Sequence, residues 1–254
     1  MALKLILIIC GTAAGIIQTC VSIPQLSLVV YVPMFYSVIY DKKILNGKFS
    51  WLKSWHVCIF FMQLTSCSFL VTIYKLMPLP AAIGIILSIA ALLALSLWLT
   101  LLTSIPISFL EKIRCGRIWD VYSFCILYTI GEWLCENVFV LSFPWTTVSL
   151  SAVSWQEMIQ SSSLMGGKLT SLIILAVNGL IAYAFSRKNI RTRLSYMICA
   201  VSVVSITVFY GANHILYLKN LTAESGENLN VMIAQDNVEG KEKSKLKPLN
   251  TTYL

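Results

Sequence analysis

Charged side chains are scarce in this chain of 254 residues. Asp, Glu, Lys and Arg make up 12% of it, against 57% hydrophobic residues. Soluble domains carry about 25% charged residues, and a charged fraction half that size leaves too much apolar surface for a water-soluble core to absorb. The mean hydropathy of +0.79 agrees with this. The composition therefore excludes a soluble globular domain and predicts a membrane protein.

Histidine is rarer still, and the eight cysteines follow no metal-binding spacing. The two histidines, His56 and His214, lie at the ends of apolar runs, and no CxxC motif or Cys/His cluster occurs. Seven cysteines lie within or at the edges of these runs, where they fit as small apolar side chains, and Cys115 lies in a gap. We therefore expect no metal, no cofactor and no disulfide.

The sequence contains seven long apolar runs. They cover residues 5–23, 26–40, 57–73, 81–105, 118–141, 169–185 and 195–217. A helix needs about 20 residues to cross a hydrocarbon core about 30 Å thick, and all runs but 26–40 come close to that length. The run 26–40 is short, and Pro33 interrupts it. We predict an all-α polytopic membrane protein of about seven transmembrane helices, with a kinked or shallow second helix.

Basic residues fall in every other gap between the runs. Twelve of the nineteen are Lys4, Lys42, Lys43, Lys48, Lys53, Lys112, Arg114, Arg117, Arg187, Lys188, Arg191 and Arg193. By the positive-inside rule these gaps face the cytoplasm. We predict a multi-pass plasma membrane protein with a cytoplasmic N-terminus and an extracytoplasmic tail. Most of the net charge of +8 is this topology signal, so we expect no nucleic-acid partner.

Two acidic residues lie in the outer half of the run 118–141. Glu132 and Glu136 are four residues apart and share one helix face. They could bind a cationic group, pair with basic residues of a neighbouring domain or line a solvated entrance, or they could be interfacial acids exposed to water. No basic residue inside the predicted spans is available to neutralise them.

An aromatic turn follows that run directly. It consists of Phe143, Pro144 and Trp145 and opens a gap, 142–168, that also contains Trp155 and ends near Gly166-Gly167. A gap of this length usually has a function or packs as an element of its own. We expect it to pack down on the helices or to dip into the lipid headgroups.

These blocks carry a family resemblance. The stretches Gly131-Glu132-Trp133-Leu134, Ser142-Phe143-Pro144-Trp145, Ile159-Gln160, Gly166, Ser171-Leu172, Asn178 and Tyr210-Gly211 resemble the membrane domain of apolipoprotein N-acyltransferase. That family commonly reads Glu-Trp-Leu-Arg and Gly-Phe-Pro-Trp, so Cys135 stands where Arg is usual and Ser142 where Gly is usual. The resemblance makes Glu132, Trp133, Glu136, Phe143, Pro144 and Trp145 candidates for a lipid entrance or a domain-docking surface.

The resemblance also implies a reaction whose catalytic residues have no match in this chain. In the family, a Glu-Lys-Cys triad in a nitrilase-like domain passes an acyl chain from a phospholipid, through a thioester on the Cys, to the N-terminal amine of a diacylated lipoprotein. Residues 231–238 resemble the first strand of that domain. No position here matches the triad, so we predict no catalytic residue and no acyl transfer by the chain alone. We assign 1–218 to a transmembrane helical domain and 219–254 to an extracytoplasmic tail with one β-strand-like segment.

Three functional interpretations stay open. The first is a truncated or split family member whose partners are a membrane phospholipid, a separately encoded nitrilase-like domain and a diacylated lipoprotein. The second is a noncatalytic membrane scaffold or lipid-binding protein. The third is a small transporter, against which stand the lack of an inverted repeat, of paired Gly/Pro-broken helices and of a basic residue within the spans.

Overall fold

The computed structural model describes residues 2–19, 23–44, 54–110, 118–138 and 141–225. Within these ranges the chain folds into helices and short connections, and they contain no β-strand. This agrees with the predicted helical membrane protein. The β-strand-like segment 231–238 lies outside the described residues, and so does most of the predicted tail.

The helices are numbered here along the chain. They are α1 (Ala2–Thr19), α2 (Ser27–Val30), α3 (Val32–Ile44), α4 (Ser54–Ser66), α5 (Ala81–Ser108), α6 (Ile118–Asn137), α7 (Gln156–Ile159), α8 (Ser162–Met165), α9 (Gly167–Phe185) and α10 (Ile190–Ser225). Among the described residues, 3₁₀ segments connect or extend them at Pro24–Leu26, Ser68–Leu76, Pro144–Thr146 and Val148–Ala152. Helix α9 lies at the centre, in contact with α3, α6 and α10.

Within the part of the chain that the structure describes, four helical stretches are long and apolar enough to cross a membrane. They are Trp55–Leu76, Ala81–Ser108, Gly167–Phe185 and Ile190–Leu221. The apolar stretches Leu5–Thr19 and Pro24–Ile39 are shorter, and α6 has 20 residues but is less apolar because it carries Asp120, Glu132 and Glu136. The predicted number of seven spans is therefore not confirmed and stays a prediction.

Close backbone contact joins α1 to α4. A Cβ atom on Gly15 would lie 2.6 Å from the carbonyl oxygen of Met62, and one on Gly11 would overlap the carbonyl oxygen of Cys58. The two glycines are four residues apart, so both face α4 and let the two helix backbones meet. This contact holds α1 directly against α4.

The predicted interruption of the second span occurs at Tyr31, between α2 and α3 and two residues before Pro33. Asn178 of α9, which is fully buried, fills the break. Its Oδ1 accepts the backbone N–H of Tyr31 at 2.9 Å, and its Nδ2 donates to the carbonyl of Ser27 at 2.8 Å. These two backbone groups are i and i+4 partners in an unbroken helix, so the side-chain amide replaces their hydrogen bond.

Gly11→Ala tests the contact between α1 and α4. The added methyl group meets a backbone carbonyl that cannot rotate away, and overpacking of this kind costs about 1–3 kcal/mol. We expect a lower midpoint of thermal unfolding in detergent. Gly84→Ala is the control, because its Cβ atom would first meet the side-chain Cβ of Tyr74 at 3.1 Å, and its effect should be smaller. Equal midpoints for the two variants would contradict this account of the packing.

Asn178→Leu tests the amide in the helix break. It leaves the N–H of Tyr31 and the carbonyl of Ser27 buried without their partner, at a cost of about 1–3 kcal/mol in unfolding free energy. Asn213→Leu is the matched control, since Asn213 is an exposed helical asparagine that bonds only the carbonyl of Phe209. Denaturant unfolding should separate the two variants, and a silent Asn178→Leu would show that the break needs no side-chain amide.

Candidate functional site

Three charged side chains meet where α6 packs against α9. The Nζ atom of Lys168 lies 2.5 Å from Glu136 Oε1 and 3.7 Å from Glu132 Oε2. The side chain of Glu132 is 4% exposed, that of Glu136 is 26% exposed and that of Lys168 is 22% exposed. The two acids share one face of α6, as their spacing predicted. We call Glu132, Glu136 and Lys168 the ion cluster.

The prediction that no basic residue within the spans could neutralise the acids is wrong. The apolar run begins at residue 169, which left Lys168 in the preceding gap. Helix α9 begins at Gly167 instead, because Gly166 takes a φ of 70° and turns the chain into the helix. Lys168 therefore lies in the first turn of α9 and faces α6. Glu132 is likewise buried rather than exposed to water, so of the two acids only Glu136 reaches solvent.

Glu132 also anchors the long segment between α6 and α9. Its Oε1 accepts the backbone N–H of Val148 at 2.6 Å, at the start of the 3₁₀ segment Val148–Ala152. The next backbone N–H, of Ser149, donates to Ser171 Oγ on α9 at 3.0 Å. Both acceptors are buried, so these bonds hold the segment between α6 and α9 in a fixed position. The segment packs on the helices, which is one of the two placements expected for it.

Aromatic rings line the surface just before this anchor. The ring centroids of Phe143 and Trp145 are 5.5 Å apart, and those of Trp145 and Phe69 are 6.1 Å apart. Trp145 is 62% exposed and Phe69 is 41% exposed. The backbone N–H of Phe143 donates to the carbonyl of Cys135 at 2.7 Å, which ties the turn to the end of α6. We call Phe69, Phe143 and Trp145 the aromatic surface; Pro144 lies exposed between the last two.

The six candidate residues therefore do not form a single site. Glu132 and Glu136 belong to the ion cluster, and Phe143, Pro144 and Trp145 belong to the turn that forms the aromatic surface. Trp133 is 53% exposed on α6, and no ring contact joins it to that surface among the described residues. Sequence reasoning missed Phe69 and Lys168. Only Lys168 had a signal, as the one basic residue of the gap 142–168.

Cys135 does not stand in for the arginine that the resemblance would place there. Its thiol is buried between α5 and α6, 3.6 Å from Thr103 Oγ1 and 3.7 Å from the carbonyl of Leu99. A Cβ atom on Gly131, one turn earlier, would lie 2.6 Å from Thr103 Cα, so the two helices touch here. The cation beside the acids is supplied by Lys168 on another helix.

A second polar contact secures the later part of the segment to α10. His214 Nδ1 lies 2.9 Å from Gln160 Oε1, and the hydroxyls of Tyr210 and Ser163 are 2.9 Å apart. Gly211 leaves room for the backbone carbonyl of Glu157, which a Cβ atom would overlap. Three residues of the family resemblance, Gln160, Tyr210 and Gly211, therefore meet at one contact.

The described part of the chain offers anchoring groups rather than reactive ones. No three His, Cys, Asp or Glu residues within it converge as metal ligands would. Its cysteines are free thiols, and Cys58, Cys67, Cys125 and Cys135 are buried among helices. The ion cluster and the aromatic surface can hold a segment in place and present apolar rings; neither contains an activated nucleophile.

Comparison with known proteins identifies the region. The family model of the apolipoprotein N-acyltransferase N-terminal domain matches residues 11–180. This range includes the ion cluster, the aromatic surface and the helix break filled by Asn178. No curated protein matches the chain.

Lys168→Met tests the ion cluster. It leaves the buried carboxylate of Glu132 without a cation, and we expect a loss of about 1–3 kcal/mol in unfolding free energy together with faster proteolysis within 141–166. Lys219→Met, on the exposed part of α10, is the control and should change neither. In a Glu132→Gln background the cost of Lys168→Met should shrink, because the unpaired charge is gone. An equal cost in both backgrounds would contradict the pairing.

Proposed function

Because the chain belongs to the apolipoprotein N-acyltransferase N-terminal domain family, we propose that it is the membrane part of an enzyme that N-acylates lipoproteins. The family match covers most of the helices and both surfaces described above. The proposed partners are a phospholipid that donates the acyl chain, a nitrilase-like domain and a diacylated lipoprotein that accepts the chain. The proposed location is the plasma membrane, with the aromatic surface on the extracytoplasmic side.

In this proposal the chain binds the donor lipid and a separate domain carries out the acyl transfer. In this family the acyl chain passes through a thioester on a triad cysteine, and none of these 254 residues matches the triad. Four of the described cysteines, Cys58, Cys67, Cys125 and Cys135, are also buried among helices, where a substrate does not reach their thiols. The chain's own part is then to bind the donor lipid and to position the domain that reacts with it.

The proposal depends mainly on one observation: exposed aromatic rings lie in a turn that hydrogen bonds hold on both sides. Glu132 holds Val148 three residues after Trp145, and the carbonyl of Cys135 holds Phe143 two residues before it. Trp145 therefore stands between two fixed points, with most of its indole exposed beside Phe69. Rigid aromatic rings at a membrane interface bury apolar area at little entropic cost. This arrangement supports a lipid entrance at the aromatic surface.

An acyl-transfer assay tests the proposal. Vesicles would contain phospholipid donor, a diacylated lipopeptide and the chain, with and without a nitrilase-like domain supplied separately. We expect transfer only when both proteins are present. Transfer by the chain alone would overturn the division of labour. Absence of transfer with every nitrilase-like domain tried would favour the noncatalytic scaffold instead.

Trp145→Ala tests the entrance. Loss of a central aromatic contact costs about 2 kcal/mol or more, so transfer by the two-protein system should fall at least about thirtyfold. Trp119→Ala is the matched control, because Trp119 is 64% exposed but contacts Tyr122 at the other end of α6. A lipid entrance predicts a raised apparent KM for phospholipid with the domain still bound. Loss of domain binding in a pull-down would assign the surface to docking, and unchanged activity would exclude both roles.

A further inference from the structure

A narrow groove lies between the first turns of α4 and the middle of α5. Its volume is about 210 Å³, and it is lined by His56, Val57, Phe60, Phe61, Leu97, Thr100 and Leu101. Leu97 and Leu101 are about half exposed, so the groove opens on the outer surface of the helices. None of these residues belongs to the ion cluster or to the aromatic surface.

The lining of the groove favours an apolar occupant. Five of its residues are aliphatic or aromatic, and the hydroxyl of Thr100 already donates to the carbonyl of Ser96 at 2.7 Å. Sites for whole small molecules usually measure about 300–1,000 Å³. This groove is smaller than that and opens along the outer surface of the helices. It therefore fits one flexible hydrocarbon chain better than a ring system.

The charge pattern of the chain selects the kind of lipid. In sequence, Lys42, Lys43, Lys48 and Lys53 precede α4 and are offset only by Asp41, while Lys112, Arg114 and Arg117 follow α5 and are offset only by Glu111. The alternation of basic gaps in the sequence predicts that both of these stretches face the same side of the membrane. Basic sequence next to a membrane helix attracts anionic lipids, by about 1 kcal/mol for each Lys or Arg near the surface.

We propose that this groove binds one acyl chain of an anionic phospholipid from the leaflet that the basic sequence faces. The site is separate from the proposed acyl donor site, which lies at the aromatic surface. This proposal does not depend on the proposed function, because the lipid in the groove is a bound ligand and not the acyl donor. Such a lipid would fill the space between α4 and α5 and would stabilise their packing.

Native mass spectrometry of the purified chain tests this proposal. The probes are phosphatidylglycerol and phosphatidylcholine with identical acyl chains, each added at the same concentration in detergent. We expect one phosphatidylglycerol to be retained at least about fivefold more than phosphatidylcholine. Raising the ionic strength should reduce that preference, because salt screens exposed charges.

Two substitutions locate the bound lipid. Leu101→Trp and Thr100→Phe should fill the groove and lower phosphatidylglycerol retention at least about fivefold. Ile105→Trp is the control, because Ile105 is 53% exposed on the same helix and does not line the groove. Leu101 is half exposed, so its variant should fold even if the buried Thr100 does not tolerate Phe.

Three results would overturn the proposal. The first is equal retention of the two lipids by the unaltered chain. The second is undiminished phosphatidylglycerol retention in a folded Leu101→Trp variant. The third is a dimer that the same variant dissociates, since the groove would then be covered by a second copy of the chain.

Discussion

The pairing of Lys168 with Glu132 and Glu136 is the interaction on which the packing of α6, α9 and the segment between them depends. A carboxylate as buried as that of Glu132 is stabilised among apolar helices by a nearby cation and by hydrogen-bond donors. Lys168 supplies the cation from α9, and the backbone of Val148 supplies a donor from the long segment. One side chain of α6 thereby fixes the position of two other parts of the chain.

The same requirement explains the interior of the helical domain. A hydrocarbon environment offers no water to a free backbone group, so each break in a helix needs a partner from the protein. Asn178 provides it at Tyr31. Elsewhere in the interior, Gln18 Oε1 accepts a hydrogen bond from the Ser66 hydroxyl at 2.6 Å, and Gln18 Nε2 donates one to the Tyr31 hydroxyl at 3.2 Å. Polar side chains therefore join α1, α4 and α9 to one another and to the break between α2 and α3. Gly11 and Gly15 let the backbones of α1 and α4 come close together.

Several parts of this arrangement could be predicted from the sequence because they depend on local spacing. Apolar runs indicated the helices, Pro33 indicated the break in the second span, and the four-residue spacing indicated that Glu132 and Glu136 share a face. The Phe143-Pro144-Trp145 turn was also expected, and packing on the helices was one of the two placements expected for the segment after it, from its length and its tryptophans. The number of spans stayed a prediction, because α1, α3 and α6 are too short or too polar to decide it alone.

By itself the sequence determined the helical membrane character of the chain, the alternation of its basic gaps and the family to which it belongs. Only the tertiary structure decided that Lys168 neutralises the two acids, that Asn178 fills the helix break and that Phe69 joins Trp145 in one surface. The reason is physical: periodicity reports which residues share one helix face, whereas these contacts join residues more than thirty positions apart on different helices. Which of them meet depends on how the helices pack, and that follows from close fit along their whole lengths.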